Sequence, residues 1–176
     1  MIPTLQEGSA SAQGDAKNSF FSTIHVQQVK IRIFQPWELQ NRLKLLGAAF
    51  LGAWDEKDIY YLQPAGSFLK IKKTKNSCFF IKLRKDGKGN FTKEIRLLRN
   101  PEKKEKELGE KFGIVKTVEK RVRSYSIKGM EFRIQSIPEL WDFLILEGNV
   151  VKAREMLRKL GMEKPEFVSL AFSEML

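Results

Sequence analysis

The sequence is nearly without cysteine and histidine: one of each, Cys78 and His25, in 176 residues. A lone cysteine closes no internal disulfide, and one Cys with one His makes no zinc site of structural spacing. The same scarcity leaves a Ser-His-Asp arrangement with no base but His25. Cys78, with no neighbouring histidine to activate it, reads as a buried, inert thiol in a strand. Long apolar runs are missing too. None approaches the roughly 18 residues that cross a bilayer, and the N-terminus lacks a charged segment leading into an apolar one.

What is present is a foldable and strongly basic chain. Apolar residues make up 42% and aromatics 11%, too much for a wholly disordered polymer and enough for one core. Lys and Arg number 32 against 21 Asp and Glu, a net charge of +11, so an anionic partner is expected. Residues 1–23 are rich in Ser, Ala, Gln and Gly and carry only Glu7, Asp15 and Lys17; they read as a disordered tail, and 24–176 as the folded domain.

From Ile24 the pattern alternates: Val29, Ile31 and Ile33 fall on one face, Gln28, Lys30 and Arg32 on the other, which predicts a strand. Pro36 then opens a helix carrying Leu39, Leu43 and Leu46 up to Gly47. Strands are predicted at 58–61, 67–73, 78–84 and 91–98, with turns at Gln63–Gly66 and Asp86–Gly89. Asn100-Pro101 caps a charged helix ending near Gly113. Strands over 115–127 and 130–137 are joined by Lys128-Gly129, a further strand spans 143–147, and helices cover 150–160 and 165–175. This order predicts an α+β fold: an eight-stranded, mainly antiparallel β-barrel with helices packed outside. Trp37, Trp54 and Trp141 are expected in its packing.

Period-two reading places Lys70 with Lys72, Lys82 with Arg84, Thr92 with Glu94 and Arg96, Lys120 with Val122 and Ser124, and Arg133 with Gln135 on common faces. Ile71, Ile81, Leu83, Ile95, Leu97 and Ile134 fall on the opposite ones. Packing the apolar faces against outer helices would turn every basic face inward, making a cationic tunnel. Pattern alone leaves equally open that the basic faces are solvated outer surfaces.

Several short matches in order resemble the CYTH superfamily, the triphosphate tunnel proteins that include class IV adenylate cyclases, thiamine triphosphatases and inorganic triphosphatases. They are Pro36-Trp37-Glu38-Leu39, Asp58-Ile59-Tyr60, Leu69-Lys70-Ile71-Lys72, Phe80-Ile81-Lys82, Lys120 with Tyr125, Phe143 through Gly148, and the closing Ala171 through Leu176. The resemblance implies a tunnel in which basic side chains hold a triphosphate and glutamates hold Mg²⁺ or Mn²⁺. Carried over by position and combined with the face assignments, it makes Lys30, Arg32, Lys70, Lys72, Lys82, Arg84, Arg96, Lys120 and Arg133 the candidate phosphate-binding residues.

The chain departs from the family most at its acidic positions. Gln28 and Lys30 stand where the signature glutamates belong, Arg96 where the second of a pair belongs, Gln135 for an aspartate and Ile145 for another glutamate. Glu94 and Glu147 survive as candidate metal ligands. A hard divalent cation needs several oxygen ligands, so no cofactor is expected unless Mg²⁺ or Mn²⁺ is held by that remaining pair. The resulting expectation is a cytoplasmic binder of a triphosphate, polyphosphate or other phosphorylated small molecule, with metal-dependent catalysis lost or weakened and no membrane partner. Two alternatives stay open: an active cyclase or triphosphatase using Glu94 and Glu147, and an RNA-binding protein with an outer basic surface around Lys70, Lys72, Lys73, Lys75, Phe79 and Phe80.

Overall fold

A computed structural model describes residues 26–62, 67–85 and 91–176. The turns expected at 63–66 and 86–89, and His25, lie outside them. The elements run β1 (Val26–Ile33), α1 (Pro36–Leu45), β2 (Ala49–Tyr61), β3 (Ser67–Lys73), β4 (Cys78–Lys85), β5 (Phe91–Leu97), α2 (Pro101–Phe112), β6 (Ile114–Ile127), β7 (Met130–Ser136), β8 (Asp142–Glu147), α3 (Val150–Lys159), β9 (Glu166–Phe167) and α4 (Phe172–Met175). Among the described residues no helix is long and apolar enough to cross a membrane.

Local chemistry accounts for most boundaries. Pro36 and Pro101 occupy first-turn positions, where the missing N–H costs nothing. The Asn100 side chain accepts from the Lys103 N–H at 3.1 Å, and Gly113 ends α2 at φ 71°. The β6–β7 hairpin turns through Lys128 and Gly129 at φ 50° and 75°, the paired positive values of a type I′ turn.

The strands form one α+β sheet in the order β5-β4-β3-β2-β6-β7-β8-β1-β9, and it curls until β5 also meets β1. That junction joins Val26 to Lys93, Gln27 to Thr92 and Gln28 to Phe91, while β9 takes the same edge of β1 further on, at Ile31 and Arg32. Nine strands replace the eight expected. The additional one comes from 165–175, read as a helix: the exposed Glu166-Phe167 pair along β1 instead, and within that stretch Phe172–Met175 is helical.

The outer face of the curl carries the helices, as the alternation in β1 predicts. Val29, Ile31, Phe132, Ile134, Leu144 and Leu146 pack against Leu39 and Leu43 of α1 and Met156 and Leu157 of α3. Ile59, Leu69 and Ile71 pack against Leu108 and Phe112 of α2. Each of these side chains stabilises the fold by about 1.5–3 kcal/mol through apolar burial.

Two packing expectations are corrected. Trp37 is 63% and Trp141 47% exposed; the Trp141 ring instead stacks 3.6 Å from the Arg32 guanidinium, a cation–π contact that needs no core. Cys78 is a free thiol, half-buried rather than buried.

Candidate functional site

The strand faces turned away from the helices meet inside the curl. They line a cavity of about 30 Å³, room for roughly two waters. Six cations reach it: Lys30 of β1, Lys70 and Lys72 of β3, Lys93 of β5, Lys120 of β6 and Arg133 of β7. Gln28, Gln135, Tyr60 and Glu147 add polar groups, and Ile81, Leu83 and Phe172 an apolar side.

Carboxylates stand against these cations. Asp58, wholly buried, accepts from Lys70 Nζ at 2.6 Å and Lys120 Nζ at 2.7 Å. Glu56 accepts from Lys72 at 3.0 Å and from the Trp54 indole at 2.9 Å, and lies 3.2 Å from Lys120. Glu147 pairs with Lys93 and lies 3.5 Å from Arg133. Arg133 donates twice to Glu131, at 2.7 and 3.1 Å. The pairing follows from register, since Lys70 lies directly across from Tyr60, Lys72 from Asp58, and Glu56 from Lys120. Lys30 donates to the Leu170 carbonyl and sits 4.0 Å from the Phe172 ring.

This crowding moves protons. Burial, then the nearby Lys70 and Lys120 ammoniums, pulls Lys30 down to about 7. Burial, then Lys120, lowers Lys72 to about 8, and burial also depresses Lys93 against the pull of Glu147. Desolvation alone would raise the carboxylates, but Lys120 and Lys72 hold Glu56 at about 2, and Lys120 and Lys70 hold Asp58 lower still. Burial, then the Asp58 charge, raises Tyr60, which stays a phenol.

A pH signature follows. Between about 7 and the ordinary lysine value of 10.5, the unfolded chain binds more protons at positions 30 and 72 than the folded one, so stability rises with pH there. The depressed carboxylates act at the other end: their stabilisation is present above the ordinary value near 4 and is lost as pH falls toward 2. The melting temperature is expected to climb from pH 7 to 9 and to collapse below pH 4. A flat or falling curve between 7 and 9 would remove the buried, low-affinity lysines from the account.

The placement of the candidates is mixed. Lys30, Lys70, Lys72, Lys120 and Arg133 converge on the cavity. Lys82, Arg84 and Arg96 do not, because Ile81 lies directly across from Lys70 and Ile95 from Ile81, which puts Ile81, Leu83 and Ile95 inside and their charged neighbours outside. An apolar strand face packs as well against an interior as against a helix, and a one-residue change of parity exchanges the faces. Arg32 stays at the rim, 3.5 Å from Glu166, beside an outer groove of 660 Å³ between α1 and residues 160–166.

The candidate metal pair is split by the same parity. Glu94 is outside, 3.8 Å from Arg84, while Glu147 is inside and paired with Lys93. Among the described residues no three His, Cys, Asp or Glu side chains gather as a metal site. Glu56 and Asp58 face the Lys70, Lys72 and Lys120 ammoniums, while Glu56 Oε2 and Asp58 Oδ1 accept no hydrogen bond among the described residues. The donor set therefore does not fit the Mg²⁺ or Mn²⁺ implied by the family resemblance. Sequence reasoning missed Lys93, Glu56, Glu131 and the pairing role of Asp58. The signal for two of these was legible: Glu56, Asp58 and Tyr60 share a face at period two, the right complement for Lys70 and Lys72 on the neighbouring strand.

The fold has known counterparts. No family model and no curated protein matches the chain. Among solved structures, the PH1012 protein of Pyrococcus horikoshii OT3 is similar at TM-score 0.75 and 21% identity, covering 86% of this chain and 99% of that one. A proposed adenylate cyclase from Vibrio parahaemolyticus is similar at 0.66 and 11%, covering 88% and 98%. A proposed adenylyl cyclase from Hippeastrum with a dominant triphosphatase activity is similar at 0.61 and 12%, covering 85% and 94%. At these identities the likeness establishes the fold, which is the CYTH-like fold the sequence resemblance implies.

Proposed function

We propose that the interior binds a phosphorylated anion, a triphosphate, a polyphosphate or another phosphate ester, through Lys30, Lys70, Lys72, Lys120 and Arg133 together with Lys93, and that it does so without metal-dependent turnover. The observation that carries this reading is the convergence of six cationic side chains on one cavity whose lining includes one carboxylate, Glu147. Phosphate oxygens take charge-assisted hydrogen bonds from several such donors at once, and a site that excludes water strengthens them.

The cavity is smaller than any of these ligands, so entry requires the lysines to swing away from Asp58 and Glu56 and trade carboxylate oxygens for phosphate ones. Their long, flexible stems permit that exchange. Fixed cations neutralise a bound phosphate but do not ionise an attacking water as a metal does, which is why binding without turnover is the reading the residues favour. The triphosphatase activity of the Hippeastrum protein supports triphosphate as the first ligand to try.

Thermal scanning with inorganic triphosphate in EDTA tests it. A ligand at 100-fold over its Kd stabilises by about 2.7 kcal/mol, or roughly 5–10 °C for a chain of this size, and Lys30→Met is expected to abolish most of that shift. No shift at millimolar triphosphate, or Mg²⁺-dependent phosphate release that disappears in Glu147→Gln, overturns the proposal.

A further inference from the structure

The interior holds six cations against the four carboxylates Glu56, Asp58, Glu131 and Glu147, a net charge of +2 out of the chain's +11. Most of the excess is therefore on the outside, contrary to a reading in which every basic face turns inward. Among the described residues, one part of the outer surface gathers several of these charges. The hydrophobic cluster under α2 ends at Phe80. Beyond it the outward face of β4 and β5 presents Lys82, Arg84 and Arg96 with one acidic residue, Glu94, between them.

We propose that this outward β4–β5 face binds the phosphodiester backbone of a single-stranded nucleic acid. Same-face residues along a strand stand about 7 Å apart and neighbouring strands about 4.8 Å apart, so Lys82, Arg84 and Arg96 make a short two-row array of cations. A flexible nucleotide backbone can follow such an array, whereas a rigid duplex touches a twisted sheet at fewer points. Phe80 lies directly across from Arg96, half-buried, with Lys104 Nζ 5.7 Å from its ring. That combination of aromatic edge and cations is the one that takes an unpaired base beside its phosphates. Glu94 lies 3.8 Å from Arg84, whose side chain is 61% exposed; a solvated pair of this kind is worth little and yields readily to phosphate. The face offers ammonium and guanidinium groups rather than protruding apolar side chains, which favours nucleic acid over insertion into an anionic bilayer.

This surface is separate from the interior cavity, and its test is independent of the one above. Fluorescence anisotropy with labelled 20-nucleotide single-stranded RNA and DNA is the measurement. The full chain is expected to bind with a strong salt dependence, and K82E/R84E/R96E to weaken binding at least tenfold while flattening the salt slope by about two, near 0.7 per lost phosphate contact. Lys30→Met inside the cavity should leave binding unchanged, and inorganic triphosphate at equal charge should compete no better than added salt. A control with the same charge reversal elsewhere, K44E/K57E/R121E, should retain most of the affinity. The proposal is overturned if the control loses as much as the β4–β5 variant, if neither oligonucleotide binds, or if vesicles rich in phosphatidylserine bind while the oligonucleotides do not.

Discussion

Asp58→Asn is expected to cost about 3–5 kcal/mol of stability, the penalty for stranding a buried charge. The carboxylate is fully buried and neutralises two ammoniums at once, Lys70 at 2.6 Å and Lys120 at 2.7 Å, whose side chains are 9% and 2% exposed. Asparagine keeps the shape and loses the charge, leaving among the described residues Glu56 as the carboxylate partner of Lys120 and the Tyr60 hydroxyl, at 3.5 Å, as the hydrogen-bond partner of Lys70. For a chain of this length the melting temperature should fall by roughly 10 °C. Adding Lys70→Met removes the stranded ammonium, and the double variant should recover a large share, because replacing a whole buried ion pair is far cheaper than breaking it. Chemical denaturation of the two variants decides: a loss below about 1 kcal/mol for the single variant, or no recovery in the double, would show that water reaches these groups.

Phe172→Ala is the second large effect. The ring packs 5.0 Å from Phe143, belongs to the cluster with Tyr60, Val118 and Ile145, and roofs the ammoniums of Lys30 and Lys120 at 4.0 and 5.6 Å. Truncating a buried phenylalanine costs about 3–5 kcal/mol. Because the residue sits in a four-residue terminal helix, part of that cost is expected to appear as local detachment rather than global unfolding. The electrostatic consequence separates this from plain core loss. Water admitted over Lys30 removes the burial that depresses it, so its amine should titrate well above 7, as read by the pH dependence of its reaction with a lysine-selective acylating reagent. Unchanged reactivity would mean that the neighbouring lysines, not the ring, govern this group.

How much of this was legible in the sequence depends on how cleanly each strand alternates. β1 alternates between aliphatic and polar side chains, and its faces fall where the pattern puts them. So do Lys70 and Lys72 on β3, Lys120 on β6 and Arg133 on β7. In β4 the run Cys78-Phe79-Phe80-Ile81 is apolar on both faces, so nothing local fixes which face is inside, and the decision rests with cross-strand register to Lys70. β5 inherits it: Lys93 enters the cavity, while Glu94 and Arg96 leave it. The pairs Lys120–Asp58 and Lys93–Glu147 were hidden for a different reason, since they form between strands distant in sequence, whereas Lys70–Asp58 and Lys72–Glu56 join consecutive strands. Trp37 and Trp141 were misplaced because bulk and apolarity alone do not say whether a ring is buried: Trp37 is exposed, and Trp141 meets the Arg32 guanidinium at the rim.

The edge of β1 is divided between two short partners, and the sheet's ring of hydrogen bonds is correspondingly thin at one line. Three residue pairs join β1 to β5 there, while Lys93 of β5 reaches past β1 to Glu147 of β8. The ion pair works as a stitch laid across a seam. An anion strong enough to draw Lys93 off Glu147 would undo the stitch at the moment it needs space, so the wall should part along this line rather than through the long β2–β6 ribbon. The crowded interior and its way of making room would then be two sides of the same contact.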